Sequence, residues 1–264
     1  MATAMVGKLK QLQIGGNIPM RLFTCIFALI VSTEGFCQMP SDSNYFVLNF
    51  TSNNDSNVII VDSILNNKKM HSIKKADIFL KKGVFPSNFY KLSWLQELYI
   101  STDSTVLVTN ELSLFLNLDK IVVQGNKDGV CFSPRIKLPR LKSFRMEFSK
   151  DFEFPFFLKN CDSLQYIAIV NGNLSQIPSF IGKFSQLEYL ILENNKLTKI
   201  PDEIFLLKKL KSLFLNGNLI RNVPTFLCDL PFLVHLHIQQ NPLEDSIPSC
   251  IISKKNIDVW YDKK

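Results

Sequence analysis

The sequence lacks the short motifs that mark the common catalytic sites. It contains no GxSxG, HExxH, GxGxxG or phosphate-loop pattern and no set of kinase motifs. It also has no CxxC pair, so a cysteine zinc site and a thioredoxin-like redox site have no support. We therefore expect a protein that is not an enzyme and that carries no cofactor.

A hydrophobic run long enough to cross a membrane is also missing. The apolar stretch Leu22–Val31 has about ten residues, whereas a transmembrane helix needs roughly 20. Arg21 precedes this stretch, and small residues occupy the minus-three and minus-one positions of a cleavage after Cys37, as in secretory signals. Residues 1–37 are therefore predicted to be a signal peptide, with Met20 as an alternative start. A buried N-terminal helix is the competing interpretation.

Charge of one sign is not concentrated anywhere along the chain. The formal net charge is +7, and residues 1–37 contribute three basic residues and one acidic residue to it. The remaining excess is scattered in short lysine pairs, which fits a solvated surface better than a stripe that follows phosphates. We expect no nucleic-acid partner.

What the sequence does have is a repeat of 23 residues. The leucines that recur at this spacing without a slip are Leu95, Leu118, Leu141, Leu164, Leu187, Leu210 and Leu233. A second apolar column follows three residues later and a third two residues after that, which gives the pattern LxxLxL. The alternation of the last two columns is typical of a short β-strand. Each repeat is therefore predicted to contain one strand and one connecting arm.

Polar and proline columns complete the later repeats. The asparagines that stand eight residues after the first leucine are Asn126, Asn195, Asn218 and Asn241. We expect them to hydrogen-bond backbone groups left unpaired as the chain leaves the strand. The arms then carry Ile-Pro or Val-Pro, followed by further apolar columns. In this register Cys131 and Cys161 fall in apolar columns, so both are predicted to be buried.

Four cysteines remain if residues 1–37 are removed. They are Cys131, Cys161, Cys228 and Cys250. Four cysteines allow three disulfide connectivities, and the spacing selects none of them, so the pairing stays open. Four buried thiols that act as small core residues are the alternative.

The segment Leu187–Leu207, LEYLILENNKLTKIPDEIFLL, resembles a complete leucine-rich repeat. It is similar to the 23-residue type with an IPxxIxxLxxL back half, known from bacterial proteins and from plant and animal Ras-associated relatives. The resemblance covers roughly residues 72–255, although the repeats before Leu164 largely lose the asparagine and proline columns. It implies an α/β-type solenoid, a horseshoe with a parallel β-sheet on its concave side. Because the arms are short and contain proline, we expect turns, 3₁₀ pieces or short helices on the convex side.

Both ends of such a stack need a cap, because an open solenoid exposes its core. At the N-terminus, residues 38–71 are predicted to form the cap, with a β-hairpin made by Tyr45–Phe50 and Asn57–Asp62. The repeats are assigned to residues 72–255. Residues 256–264 are predicted to supply a final strand and tail.

Strand alternation places a group of apolar, aromatic and histidine side chains on the concave face. These residues are Tyr166, Ala168, Val170, Tyr189, Ile191, Phe214, His235 and His237. An exposed sheet face needs few side chains of this kind, so we predict that they form the site for a protein partner. The high β-propensity of these residue types is the alternative explanation.

His235 and His237 also form the one local pair of metal-ligand candidates in the sequence. Their spacing points both imidazoles to the same side of a strand. His71 lies far away in the predicted stack, and Glu193 offers a weak third ligand from two repeats away. Two ligands without a fixed third rarely hold a metal, so we expect exposed imidazoles on a recognition surface and no metal site.

These predictions combine into an exported, monomeric, protein-binding solenoid that holds its partner on the concave face. Secretion or a place in the cell envelope or periplasm is expected. The main alternative keeps the same solenoid inside the cell, as a scaffold or regulator of a signalling protein like the Ras-associated relatives.

Overall fold

Strands dominate the part of the chain that the computed structural model describes. The described residues are 29–30, 36–38, 45–50, 66, 71–80, 83–84, 89–102, 105–125, 130–147 and 153–262. The strands are β1 (Leu29–Ile30), β2 (Phe36–Gln38), β3 (Tyr45–Phe50), β4 (Lys75–Leu80), β5 (Gly83–Val84), β6 (Glu97–Thr102), β7 (Val106–Val108), β8 (Lys120–Gly125), β9 (Val130–Phe132), β10 (Ser143–Glu147), β11 (Tyr166–Val170), β12 (Tyr189–Ile191), β13 (Ser212–Phe214), β14 (His235–His237) and β15 (Asp258–Trp260). Twelve of these strands form one sheet, and β5, β7 and β9 form a second.

The large sheet is parallel from β3 to β15, in the order β3-β4-β6-β8-β10-β11-β12-β13-β14-β15. From β6 onward each residue pairs with the residue 23 positions later; Tyr166 faces Tyr189, and His235 faces Asp258. This register follows from the repeat, because each coil of 23 residues returns the chain to the same height beside its predecessor. The predicted solenoid with a parallel sheet is confirmed.

The leucine column forms the spine of the core. All seven leucines from Leu95 to Leu233 are buried and belong to one continuous apolar cluster. Full burial of one leucine side chain is worth roughly 1.5–3 kcal/mol, and a single coil has no second layer of its own to provide it. The stack is therefore held together by contacts between coils.

The arms on the other side of the core are single 3₁₀ turns. They span Phe89–Lys91, Asn110–Leu114, Phe156–Asn160, Ser179–Lys183, Asp202–Leu206 and Thr225–Asp229, and the last arm holds the short helix α1, Ser249–Ile252. Proline stands immediately before the later turns, as at Pro178 and Pro201 with φ of −70° and −75°, close to the value that its ring imposes. The expected short arms are confirmed. Within the described residues, no helix has the length and apolarity needed to cross a bilayer.

The second sheet replaces regular arms in the N-terminal repeats. Its strands β5, β7 and β9 follow β4, β6 and β8 in the chain and pair in parallel. The prediction that Cys131 is buried is wrong, because the residue lies on β9, where alternation buries Val130 and turns Cys131 to solvent. The apolar column used for that prediction belongs to an arm, and the chain forms a strand there instead.

The other cysteines of the repeat region lie in or beside the core. Cys161 is a buried thiol as predicted, and burial raises its pKa to about 12, so it stays protonated. Cys228 and Cys250 form a disulfide with a Cα–Cα distance of 5.9 Å. This bond joins the turn Thr225–Asp229 to α1 and so ties together the last two arms.

The two ends of the sheet are built from different pieces. The antiparallel neighbour of β3 is β2, whereas the sequence assigned that place to Asn57–Asp62, which lies outside the described residues. The other edge of β3 pairs in parallel with β4. Strands β1 and β2 fall within the segment predicted as a signal peptide, except for Gln38 at the end of β2. At the far end, β15 pairs in parallel with β14.

Candidate binding surface

Asparagines hold the chain where it leaves the later strands at the edge of the concave sheet. The amide of Asn195 donates to the carbonyls of Ile169 and Leu192, and its oxygen accepts from the amides of Gly172 and Leu174, at 2.8–3.1 Å. Equivalent hydrogen bonds are made by Asn218 and Asn241. Each asparagine thus joins two coils at the point where the strand ends. Asn126 lies outside the described residues.

The predicted concave residues are not equally accessible. Ala168 is fully buried and Val170 is 7% exposed, so the expectation that these two contribute to an exposed patch is wrong. Neighbouring strands lie only about 4.8 Å apart, and short side chains lie below the tops of longer neighbours at that spacing. The residues that do reach the surface are Tyr166, Tyr189, Ile191, Phe214, His235 and His237.

The accessible rings follow one another along the sheet. Tyr166 and Tyr189 have ring centroids 6.2 Å apart. One row further on, the imidazole of His237 lies between the rings of Phe214 and Trp260, at centroid distances of 4.2 and 5.1 Å. Trp260 is half exposed and ends this aromatic ladder.

A shallow depression of about 470 Å³ lies against these rings. Its lining residues are Tyr189, Lys211, Ser212, Phe214, Val234, His235, His237 and Asp258. The ammonium group of Lys211 is 2.7 Å from the carboxylate of Glu188, and this hydrogen bond raises the pKa of Lys211. The charged edge of the depression is therefore paired within the protein, and its floor is mainly apolar and aromatic.

A second, polar depression of about 300 Å³ lies where the strands end. The side chain of Asn216 orders it, since its amide donates to Glu193 at 2.8 Å and its oxygen accepts from the backbone of Gln239 at 2.9 Å. Glu193, suggested by the sequence as a weak third metal ligand, is thus engaged with Asn216.

The N-terminal part of the concave face is charged and internally paired. Glu97 lies 2.8 Å from Lys75 and 3.6 Å from Lys120, and it accepts a hydrogen bond from the hydroxyl of Tyr99. Burial alone would raise the pKa of Glu97, but the bonds from Lys75 and Tyr99 outweigh it and lower that pKa. The same face therefore changes from a charged network to an aromatic surface along the stack.

The sequence of the C-terminal coils also carries a recognisable family signature. The profile of the family described as Leucine rich repeat matches residues 185–243. That segment contains the core leucines Leu187, Leu210 and Leu233, together with the asparagine column around which the structure is organised. Residues 185–243 belong to the leucine-rich-repeat family, and the described stack has the fold of a leucine-rich-repeat solenoid.

Solved structures of other leucine-rich-repeat proteins share its fold. An internalin from Listeria monocytogenes is 19% identical over 74% of this chain, with a TM-score of 0.56, and the chain spans 55% of that internalin. The plant peptide hormone receptor RGFR1, solved in complex with RGF2, is 22% identical over 70% of this chain and 30% of the receptor, with a TM-score of 0.55. The repeat domain of the type III effector XopL is 16% identical over 78% of this chain and 81% of that domain, with a TM-score of 0.59. No curated protein sequence matches the chain.

Two accessible residues of this leucine-rich-repeat surface were missed by sequence reasoning. Asp258 and Trp260 were assigned only to a closing strand, yet they lie beside His235 and His237 in the sheet register. Adding 23 to each histidine number would have placed both of them on the concave face.

Proposed function

We propose that this leucine-rich-repeat protein is exported and binds a protein partner on the C-terminal half of its concave face. The observation that carries the proposal is the group of accessible aromatic rings on one face of the C-terminal coils, Tyr166, Tyr189, Phe214 and Trp260. We call these four residues, with Ile191, the aromatic patch. Large rings of this kind contribute most of the binding energy at protein interfaces.

The surroundings of the aromatic patch support a protein as its occupant. Polar groups border it on two sides, with the pair Lys211–Glu188 at one edge and Asn216 and Glu193 at the other. An apolar centre with a polar rim is the usual anatomy of a protein interface. High β-propensity alone does not account for the patch, because the same rows carry Lys120 and Arg145 in the N-terminal coils.

The experiment that tests this site is affinity capture by a variant with Tyr189→Asp and Phe214→Asp. We expect the affinity for the captured partner to fall by roughly several hundredfold, since two hot-spot residues are each worth about 2 kcal/mol or more. The matched control carries Leu116→Asp and Phe232→Asp, which changes two exposed apolar residues outside the strands. Proteins captured equally by the wild type and the control, and quantified by mass spectrometry, define the partner set. Equal capture of that set by the folded patch variant would contradict the proposal.

Export is supported by two independent features of the chain. Residues 1–37 have the charge, apolar stretch and exit of a secretory signal. The disulfide Cys228–Cys250 is a bond that persists in oxidising compartments and is rare in the reducing cytosol.

A plant receptor with the same fold was solved in complex with RGF2, which supports a peptide or protein as the kind of ligand that the solenoid holds.

A further inference from the structure

We propose that His235, His237 and Asp258 form a binding site for a divalent transition-metal cation such as Zn²⁺. The sheet register brings these residues together, because Asp258 on β15 pairs with His235 on β14 and His237 lies two positions further along β14 on the same side. One ligand atom from each residue lies within 4.8 Å of the other two. The sequence offered two ligands, and the fold supplies the third.

The distances fit a shared cation better than direct hydrogen bonds. Oδ2 of Asp258 lies 3.7 Å from Nδ1 of His235 and 3.8 Å from Nε2 of His237, beyond the range of a normal hydrogen bond. Zinc takes histidine nitrogen and carboxylate oxygen at about 2.0–2.2 Å, which puts tetrahedral ligand atoms about 3.3–3.5 Å apart. The two distances to Asp258 exceed this by a few tenths of an ångström, and all three ligand atoms lie within 4.8 Å of one another. His235 and Asp258 are exposed, so their side chains can turn to bring the ligand atoms closer.

The imidazole of His237 is held in place and lacks a partner for one nitrogen. Phe214 and Trp260 stack on its two faces, and its side chain is only 19% exposed. Its Nε2 is buried, and within the described part of the chain no hydrogen-bond partner reaches it. A buried polar atom without a partner is unfavourable, and a cation bonded to Nε2 would satisfy it.

A neighbouring residue orients the carboxylate. The indole Nε1 of Trp260 donates to Oδ1 of Asp258 at 2.8 Å, while Oδ2 of the same carboxylate faces both histidines. Hydrogen bonds from an outer residue to a ligating group are a regular feature of metal sites, because they fix its direction. Trp260 therefore acts as a positioning residue for Asp258 and as a stacking partner for His237.

The donor set selects the class of cation. Two imidazole nitrogens and one carboxylate oxygen suit Zn²⁺ and its first-row neighbours, whereas Ca²⁺ and Mg²⁺ prefer ligand sets made of oxygen. Three protein ligands leave a fourth tetrahedral position for solvent or for a group on a bound partner. The nearby ammonium of Lys211 is paired with Glu188, which limits its repulsion of an incoming cation.

The test measures Zn²⁺ alone, with tag-free, chelator-treated full-length protein whose accessible thiols have been alkylated. We expect isothermal titration calorimetry to find one equivalent of Zn²⁺ bound in the micromolar range and the melting temperature to rise with Zn²⁺. His235→Ala and Asp258→Asn should each weaken binding by roughly tenfold or more. His71→Ala, which changes the histidine that lies outside the site, should leave affinity unchanged. Circular dichroism in chelator checks that each variant is folded.

Two outcomes would overturn the proposal. One is wild-type protein that binds no stoichiometric Zn²⁺. The other is folded His235→Ala and Asp258→Asn variants that bind Zn²⁺ as tightly as the wild type. Because no partner takes part in this titration, its result is independent of the capture experiment on the aromatic patch.

Discussion

At the scale of single residues, buried asparagines join successive coils. Asn218 is buried, and its amide donates to the carbonyls of Leu192 and Leu215 at 2.9 Å. Its oxygen accepts from the amide of Leu197 at 3.0 Å. One side chain thus satisfies backbone groups from two successive coils that have left the ladder of the sheet.

Replacing Asn218 with Ala should therefore destabilise the fold by about 2–3 kcal/mol, because buried backbone groups would lose their partners. Urea denaturation followed by circular dichroism measures the change. The control is Asn222→Ala, which removes an exposed asparagine bonded to Asp245 and should change stability by no more than about 0.5 kcal/mol. Similar losses in both variants would show that coil bridging is not the source of the effect.

At the scale of elements, the sequence predicts strands and arms wherever the full repeat is present. From Leu187 onward the leucine, asparagine and proline columns agree, and from Leu164 onward each strand and 3₁₀ turn is found where the columns place it. In the earlier coils the strand columns persist, but the asparagine and proline columns are largely lost, so the sequence says little about the arms. Three segments of those coils pair into a second sheet. Pairing between segments more than 20 residues apart leaves little trace in local sequence, which is why Cys131 was misplaced.

The candidate surface was predicted less completely than the fold. Alternation correctly gives the face of each strand, but exposure depends on the height of neighbouring side chains, and for that reason Ala168 and Val170 are buried. Asp258 and Trp260 were not predicted to belong to the surface, because the last strand departs from the LxxLxL pattern. The spacing of 23 residues between paired positions nevertheless still holds there.

The disulfide between the last two arms should act locally rather than on the whole stack. Changing Cys228 and Cys250 to Ser removes a cross-link with a sequence separation of 22 residues, which is worth about 3 kcal/mol. Since coils in a solenoid contact only their neighbours, we expect faster amide hydrogen exchange in β14 and β15 and little change near β8. Cys131→Ser, at an exposed free thiol, is the control. Uniform acceleration across the sheet would contradict this local role.

At the scale of the whole molecule, export would change the N-terminal end of the sheet. Cleavage after Cys37 would remove β1 and the first two residues of β2, which leaves Gln38 as the remainder of β2. Strand β3 would then lie at the end of the sheet, still held in parallel by the six residue pairs that it makes with β4.

Mass spectrometry of protein purified from its native source should find a mature N-terminus at or near Gln38, in the extracellular or envelope fraction. A variant with Phe27 and Leu29 changed to Asp disrupts the apolar stretch and should remain uncleaved inside the cell. An intact N-terminus on wild-type protein recovered from the cytosol would instead support the intracellular scaffold.

Register partners from β6 onward are 23 residues apart, and this spacing limits which insertions and deletions the chain tolerates. Loss or duplication of one whole unit, for example residues 187–209, would keep every column aligned; the loss would set Leu210 against the coil of Leu164. Loss of a single residue within a strand would instead reverse its two faces and bring core leucines to the concave surface. Loss of residues 187–209 would also remove Tyr189 and Ile191 from the aromatic patch. A coil gained or lost between the two surfaces, such as residues 141–163, would instead move the aromatic patch relative to the charged network without altering either.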